Sequence, residues 1–337
     1  MTTPRHPTSR RLITLGLAAF GFMALSPLIP AQAQAQAGDY PNRPVTLVVP
    51  FPPGGGTDTS ARLIATRLSQ KWGKSVIVDN KGGAAGMIGA DFVAKAKGDG
   101  YTLLFGNIGT QAINPSLYKS MPYAPDTAFV PVSLVAELPL VMMVNAQVPA
   151  KTVEEFIALA KAKPDAMSYS TSGAGSSMHL AAEMFKSGSG TAVQHVPYRG
   201  GGPAVGDLLA GHVQLCFATV LESSGHLKSG KVRALAVTGK TRVPALPQVP
   251  TLAEGAIPGF DSISWVGLLA PAGTPREITD KISADIRQVL ALDEVKARLA
   301  ELGALPVGST PDAFAKLIAS DRKRYAQIIA DKNIHVD

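Results

Sequence analysis

Cysteine is all but missing: Cys216 stands alone in 337 residues, so no disulfide within the chain supports the fold, which rests on its core. It lies in the apolar stretch VQLCFAT, the setting of a small buried hydrophobe rather than of a reactive thiol. Histidine is sparse too, at six residues. His179 and His195 stand isolated, His226 sits in a polar loop, and the H-E-x-x-H spacing is absent, so no metal site and no cofactor are expected. Clusters of Lys and Arg interleaved with aromatics are also lacking, which excludes nucleic acid as a partner. The formal charge of +7 overstates the basic character, because Arg5, Arg10 and Arg11 fall in a leader without Asp or Glu. Removing these three from 32 leaves 29 basic residues against 25 acidic.

What is abundant is apolar: 46% of residues are hydrophobic and 17% charged, enough for one large core or two of ordinary domain size. The leader has a basic start ending in Ser9-Arg10-Arg11, an apolar run from Leu12 to Leu25, then Pro27, Pro30 and AQAQAQA. Repeated Ala-x-Ala suits a signal peptidase, so residues 1–37 read as a cleaved export signal, with a twin-arginine address and a general secretory signal both open. The apolar run is short of the roughly 20 residues a spanning helix needs. No Cys follows it to carry a lipid.

From Tyr40 short β-branched runs alternate with helical patterns, the rhythm of a parallel sheet flanked by helices. VTLVVP, SVIVDN and YTLLFG predict strands; Asp58–Trp72 and Met87–Lys97 predict helices. Ala61, Ile64, Ala65, Leu68 and Trp72 form the buried stripe of the first helix. A second set begins after LVMMVNAQVPAKT, with helices over Val153–Lys163, Met178–Lys186 and Ala204–Ala210 and strands at AMSYST, AVQHVPY, VQLCFAT and VRALAVT. The Pro- and Gly-rich stretch 242–262 reads as a surface crossing back toward the first set, completed by helices Arg276–Leu290 and Pro311–Lys332. Two α/β domains are therefore expected, 38–139 with 256–337 and 140–255, with a ligand cleft between them.

Two kinds of loop carry the chemistry. In VVPFPPGGGTDTSAR a strand runs into Pro52, Pro53 and three glycines and then a helix, with Thr57 or Asp58 as its cap. Glycines leave backbone N–H groups open, and a helix start favours an anion. The matching loops are SGAGSSMHLAAEMF, capped by Ser176 or Ser177, and HVPYRGGGPAVGDLL, with Pro203 near a helix start. A Walker loop is excluded, since Gly56 is followed by Thr57-Asp58 rather than Lys-Ser/Thr. GGAAGMIG lacks full dinucleotide spacing. Such loops facing each other would grip a molecule with a carboxylate at each end.

The chain resembles the solute-binding proteins of the tripartite tricarboxylate transporter type, the Bug family. The resemblance rests on YPNRPVTLVVPFPPGGGTDTSAR, VDNKGGAAGMIGADFVAKAKGDGYTLLFGN, INPSLY, STSGAGSSMHLAAEMF, HVPYRGGGPAVGDLLAGHVQL, VRALAVT, LPQVPTLAEGAIPGF and WVGLLAPAGTP. It implies a monomeric, periplasmic, two-domain clamshell that captures a di- or tricarboxylate or an aromatic acid and delivers it to membrane permease subunits. By motif, the site would comprise Pro53, Gly54, Gly55, Thr57, Asp58, Asn107, Thr110, Ser172, Gly173, Ser176, Ser177, Tyr198, Arg199 and Thr219. Many relatives carry lysine where Arg199 stands; arginine either adds a bidentate partner or lies on the surface. Phe51 either faces the ligand or packs under its loop. The alternative is an exported hydrolase with a Ser/His site in the cleft, for which Ser116-Leu-Tyr-Lys119 spells S-x-x-K but no G-x-S-x-G, Ser-Asp-Asn or Lys-Thr-Gly completes the set.

Overall fold

A computed structural model describes residues 40–335 apart from 165, 302, 332 and 333; the leader assigned to residues 1–37 lies outside them. The strands are β1 (Val45–Val49), β2 (Val76–Asn80), β3 (Thr102–Asn107), β4 (Phe129–Asn145), β5 (Ser168–Thr171), β6 (Gln194–Pro197), β7 (Leu215–Thr219), β8 (Val232–Val237), β9 (Ile263–Pro271) and β10 (Leu305–Pro306). The helices are α1 (Gly56–Trp72), α2 (Met87–Ala94), α3 (Asn114–Leu117), α4 (Val153–Ala162), α5 (Ser177–Ser189), α6 (Gly201–Ala210), α7 (Val220–Leu227), α8 (Arg276–Ala291), α9 (Asp293–Glu301) and α10 (Pro311–Asp331). The sheet order is β2-β1-β3-β9-β4-β7-β5-β6, with β8 and β10 also on β4.

Each end of the sheet is parallel: β1 lies between β2 and β3, and β5 between β6 and β7. Buried Val45, Leu47, Val48 and Val49 give β1 the near-continuous apolar character of a strand covered on both faces. The ends are joined by two antiparallel strands, β9 beside β3 and the 17-residue β4. Up to Pro139, β4 pairs with β9; from Leu140 it pairs with β7 and β8. Pro139, which has no N–H to give, falls where the partners change. The boundary expected between residues 139 and 140 falls within this one strand.

The buried apolar residues sort accordingly. One cluster, with Phe156, Tyr169, Phe185 and Phe217 at its centre, draws only on residues 140–260. Two others draw on residues 40–138 and 263–334, joined by Leu180 of α5 and Leu221 of α7. The stretch 242–262 is more than a crossing, since Val243, Leu252 and Phe260 are buried in the first cluster. Cys216 is fully buried within it, and burial pushes its thiol up to about 12, the setting of an inert side chain. No helix among the described residues is long and apolar enough to cross a membrane.

Candidate functional site

The loop after β1 is held by Asp58. Helix α1 starts at Gly56 with Gly55 as its N-cap and no side-chain cap, so neither Thr57 nor Asp58 caps it as expected. Asp58 instead folds back to accept the Gly54 N–H at 2.9 Å, Asn80 Nδ2 at 2.9 Å and Arg62 Nε at 3.0 Å. Burial alone would raise its carboxyl, but these bonds outweigh it and hold the group below the usual carboxylate range. Asp58 is thus a fastener, 3% exposed and outside the cavity described next.

That cavity, of ≈50 Å³, lies where four helices begin. Gly55, Gly56 and Thr57 bring α1; Ser177 and Met178 bring α5; Gly200 to Pro203 bring α6; Thr219 and Glu222 bring α7. The strands put them there, since β1, β5, β6 and β7 are each followed at their C-terminal ends by one of these helices. Asn107, ending β3, also lines it. The first-turn amides of Thr57, Ser177, Met178, Gly201 and Gly202 have no acceptor among the described residues. With roughly half a positive charge at each helix start, the cavity favours an anion. Gly200 takes a φ of 137°, the conformation that turns the chain from β6 into α6 and admits no side chain without strain.

The lining contains one charged side chain among the described residues, and sequence reading missed it. Glu222 Oε1 accepts the Gly56 N–H at 2.9 Å, while Oε2 accepts from Thr219 N–H at 3.2 Å and Thr219 Oγ1 at 2.9 Å. Thr219 Oγ1 in turn caps α7 by accepting the Glu222 N–H at 3.2 Å, a capping box. The Thr-x-x-Glu spacing at Thr219 was the available signal. Thr219→Val keeps the shape but removes the cap and one bond to Glu222; unfolding in urea is expected to show a loss of about 1–2 kcal/mol.

Of the residues expected at the site, Pro53, Gly55, Thr57, Asn107, Ser172, Ser177 and Thr219 line this cavity. Gly173, Tyr198 and Arg199 line a wider opening of ≈720 Å³ beside it, which shares Phe51, Pro52, Pro53 and Ser172. Arg199 is exposed there, and the Tyr198 hydroxyl donates to Asp207. Burial and that bond push the phenol up to about 12. Gly54, Thr110 and Ser176 are set back. Thr110 is fully buried and exchanges bonds with Asn107, which it thereby orients, and Ser176 caps α5 by accepting the His179 N–H at 3.2 Å. Phe51 both lines the cavity and packs on the core beneath.

The histidines are not isolated. His179 and His195 stack at 4.2 Å between ring centres, with Tyr169 stacked on His195 at 5.0 Å. His179 Nδ1 accepts the Gly175 N–H at 3.2 Å, and His195 Nε2 meets Thr171 Oγ1 at 2.7 Å. The pair therefore supports the Ser172–Ser176 loop from below. Burial brings both rings down to about 4, so they are neutral at pH 7. No histidine lines the cavity and none is bonded to Ser172 or Ser177 among the described residues. Ser116 and Lys119 are exposed and outside it.

The profile described as "Tripartite tricarboxylate transporter family receptor" matches residues 60–334. Protein BugT of Bordetella pertussis is 38% identical over 300 residues, covering 89% of this chain and 92% of its own. Among solved structures, an R. palustris protein with adipate has a TM-score of 0.86 at 38% identity, covering 88% of this chain and 99% of its own. The periplasmic binding protein BugD matches at 0.84 and 35%, covering 88% and 99%. MatC of Rhodopseudomonas palustris, with bound malate, matches at 0.82 and 34%, covering 86% and 100%. The fold is accordingly that of periplasmic binding proteins.

Proposed function

The chain belongs to the tripartite tricarboxylate transporter receptor family, a family of solute-binding proteins, and from that premise we propose that it captures a small organic acid outside the cytoplasmic membrane and delivers it to a membrane permease. The observation that carries this reading is the convergence of four helix starts on one cavity, those of α1, α5 and α6 with uncommitted amides. Relatives of the same fold hold adipate and malate. A cavity of ≈50 Å³ has room for a few water molecules, less than a four-carbon acid needs. A larger acid then enters as the clusters drawn from 40–138 and 263–334 part from that of 140–260, hinging where β4 passes from Pro139 to Leu140. The site residues are those lining the cavity, with Tyr198 and Arg199 at its mouth.

A hydrolase would need a base within reach of a cavity serine; among the described residues no histidine is bonded to Ser172, Ser177 or Ser264, the serines that line the cavity. The test is a melting panel of mono-, di- and tricarboxylates, aromatic acids and amino acids. At a hundredfold excess over Kd a ligand adds about 2.7 kcal/mol, a rise of several degrees for a protein of this size. A flat panel, or turnover of esters or amides, contradicts the reading.

A further inference from the structure

One of the four helix starts is already answered by an anion of the chain itself. The bond from Gly56 N–H to Glu222 Oε1 joins residues 166 apart in sequence. A carboxylate offers about four lone-pair sites; here Gly56 N–H, Thr219 N–H and Thr219 Oγ1 occupy three. The remaining one is on Oε1, the oxygen that lies against the start of α6, where a Cβ built on Gly201 would fall 2.2 Å from it. No Lys, Arg or His lines the cavity to balance this charge among the described residues.

We propose, resting on the acid-binding reading above, that Glu222 is a specificity-determining residue that selects an acid carrying an ammonium group, an amino-acid-type cargo, over a plain dicarboxylate. A dicarboxylate would bring a second negative end toward Glu222 in a narrow, partly dry space with no cation between them, where repulsion is stronger than in water. An ammonium fills the open lone-pair site, and the ligand's carboxylate is left to the free amides of α5 and α6. A hydroxyl also donates to that site but brings no charge, so a hydroxy acid falls between the two.

Two matched series isolate the group: succinate, malate and aspartate, and glutarate, 2-hydroxyglutarate and glutamate, each titrated calorimetrically into the full mature protein and into Glu222→Gln. Glutamine keeps the capping box, and a melting curve checks that the variant is folded. In the native protein the amino acid of at least one series is expected to bind tighter than its dicarboxylate by roughly tenfold or more, the scale of one partly screened charge contact. In Glu222→Gln that ratio is expected to collapse toward one or invert, chiefly because the dicarboxylate gains. Dicarboxylates binding the native protein as tightly as the amino acids, or a ratio unchanged in Glu222→Gln, overturns this inference and leaves the acid-binding reading standing. Silence from every compound in both proteins overturns this inference, and the acid-binding reading falls with it only where the wider melting panel is flat as well.

Discussion

Gly201→Leu is expected to abolish ligand binding, by more than about a hundredfold in Kd, in a protein that still folds. The position is the first residue of α6 and lines the cavity. Its Cβ alone would stand 2.2 Å from Glu222 Oε1 and 2.8 Å from Cδ, closer than real atoms approach. Either Glu222 swings away, losing the Gly56 bond, or α6 retreats, and the added side chain fills a space of ≈50 Å³ either way. Two first-turn donors, the amides of Gly201 and Gly202, are spoiled together, and at roughly 1.5–3 kcal/mol for each bond to a charged group the loss exceeds a hundredfold. The control is Gly206→Ala in the same helix, where a Cβ meets nothing within 4 Å. It is expected to leave affinity unchanged and to stabilise by up to about 1 kcal/mol. Calorimetry and urea unfolding on the pair separate a blocked site from a broken fold; unchanged affinity in Gly201→Leu removes α6 from the site.

The second large effect is a loss of stability between pH 6.5 and 4. His179 and His195 are held neutral to about 4 in the folded chain, by burial first and, for His179, by its neighbour His195. In the unfolded chain an imidazole takes its proton near 6.5. Between these values the unfolded state binds more protons, so stability rises with pH there. The contribution is whole above about pH 6.5 and is lost as the pH falls toward 4. For the nearly buried His179 the difference corresponds to about 3 kcal/mol; His195, more open, adds less. Asp58 and Glu183, whose carboxyls lie below their usual range, add to the decline only from about pH 5 downward, where unfolded carboxyls begin to take protons, so the part above that belongs mainly to the histidines. His179→Gln is expected to be less stable at pH 7.5 but flatter from 7 to 4.5. An equally steep profile in that variant would contradict the assignment.

The parts of this molecule that local rules control were legible in its sequence. A β-branched run ended by prolines and glycines announced β1 and its loop, and the stripe from Ala61 to Trp72 announced α1, though it starts at Gly56 because Gly55 serves as the cap. What escaped depends on distant partners. Pro131 and Pro139 interrupt the pattern of β4, and both are accommodated where its pairing shifts or changes partner. Strand β9, apolar but for Ser264, shows no alternation because it is buried between β3 and β4. The stacking of His179 on His195 joins a helix to a strand edge, and nothing in their spacing announces it. Glu222 could be read as a capping-box acid, but its reach to Gly56 spans 166 residues of chain.

The sharpest trial is a crystal structure of the mature protein with whichever acid raises its melting temperature most. The expected result places a carboxylate within about 3 Å of the first-turn N–H groups of Ser177, Met178, Gly201 and Gly202, between the starts of α5 and α6. A ligand seated elsewhere, or held there by side chains with those four amides unengaged, would contradict it.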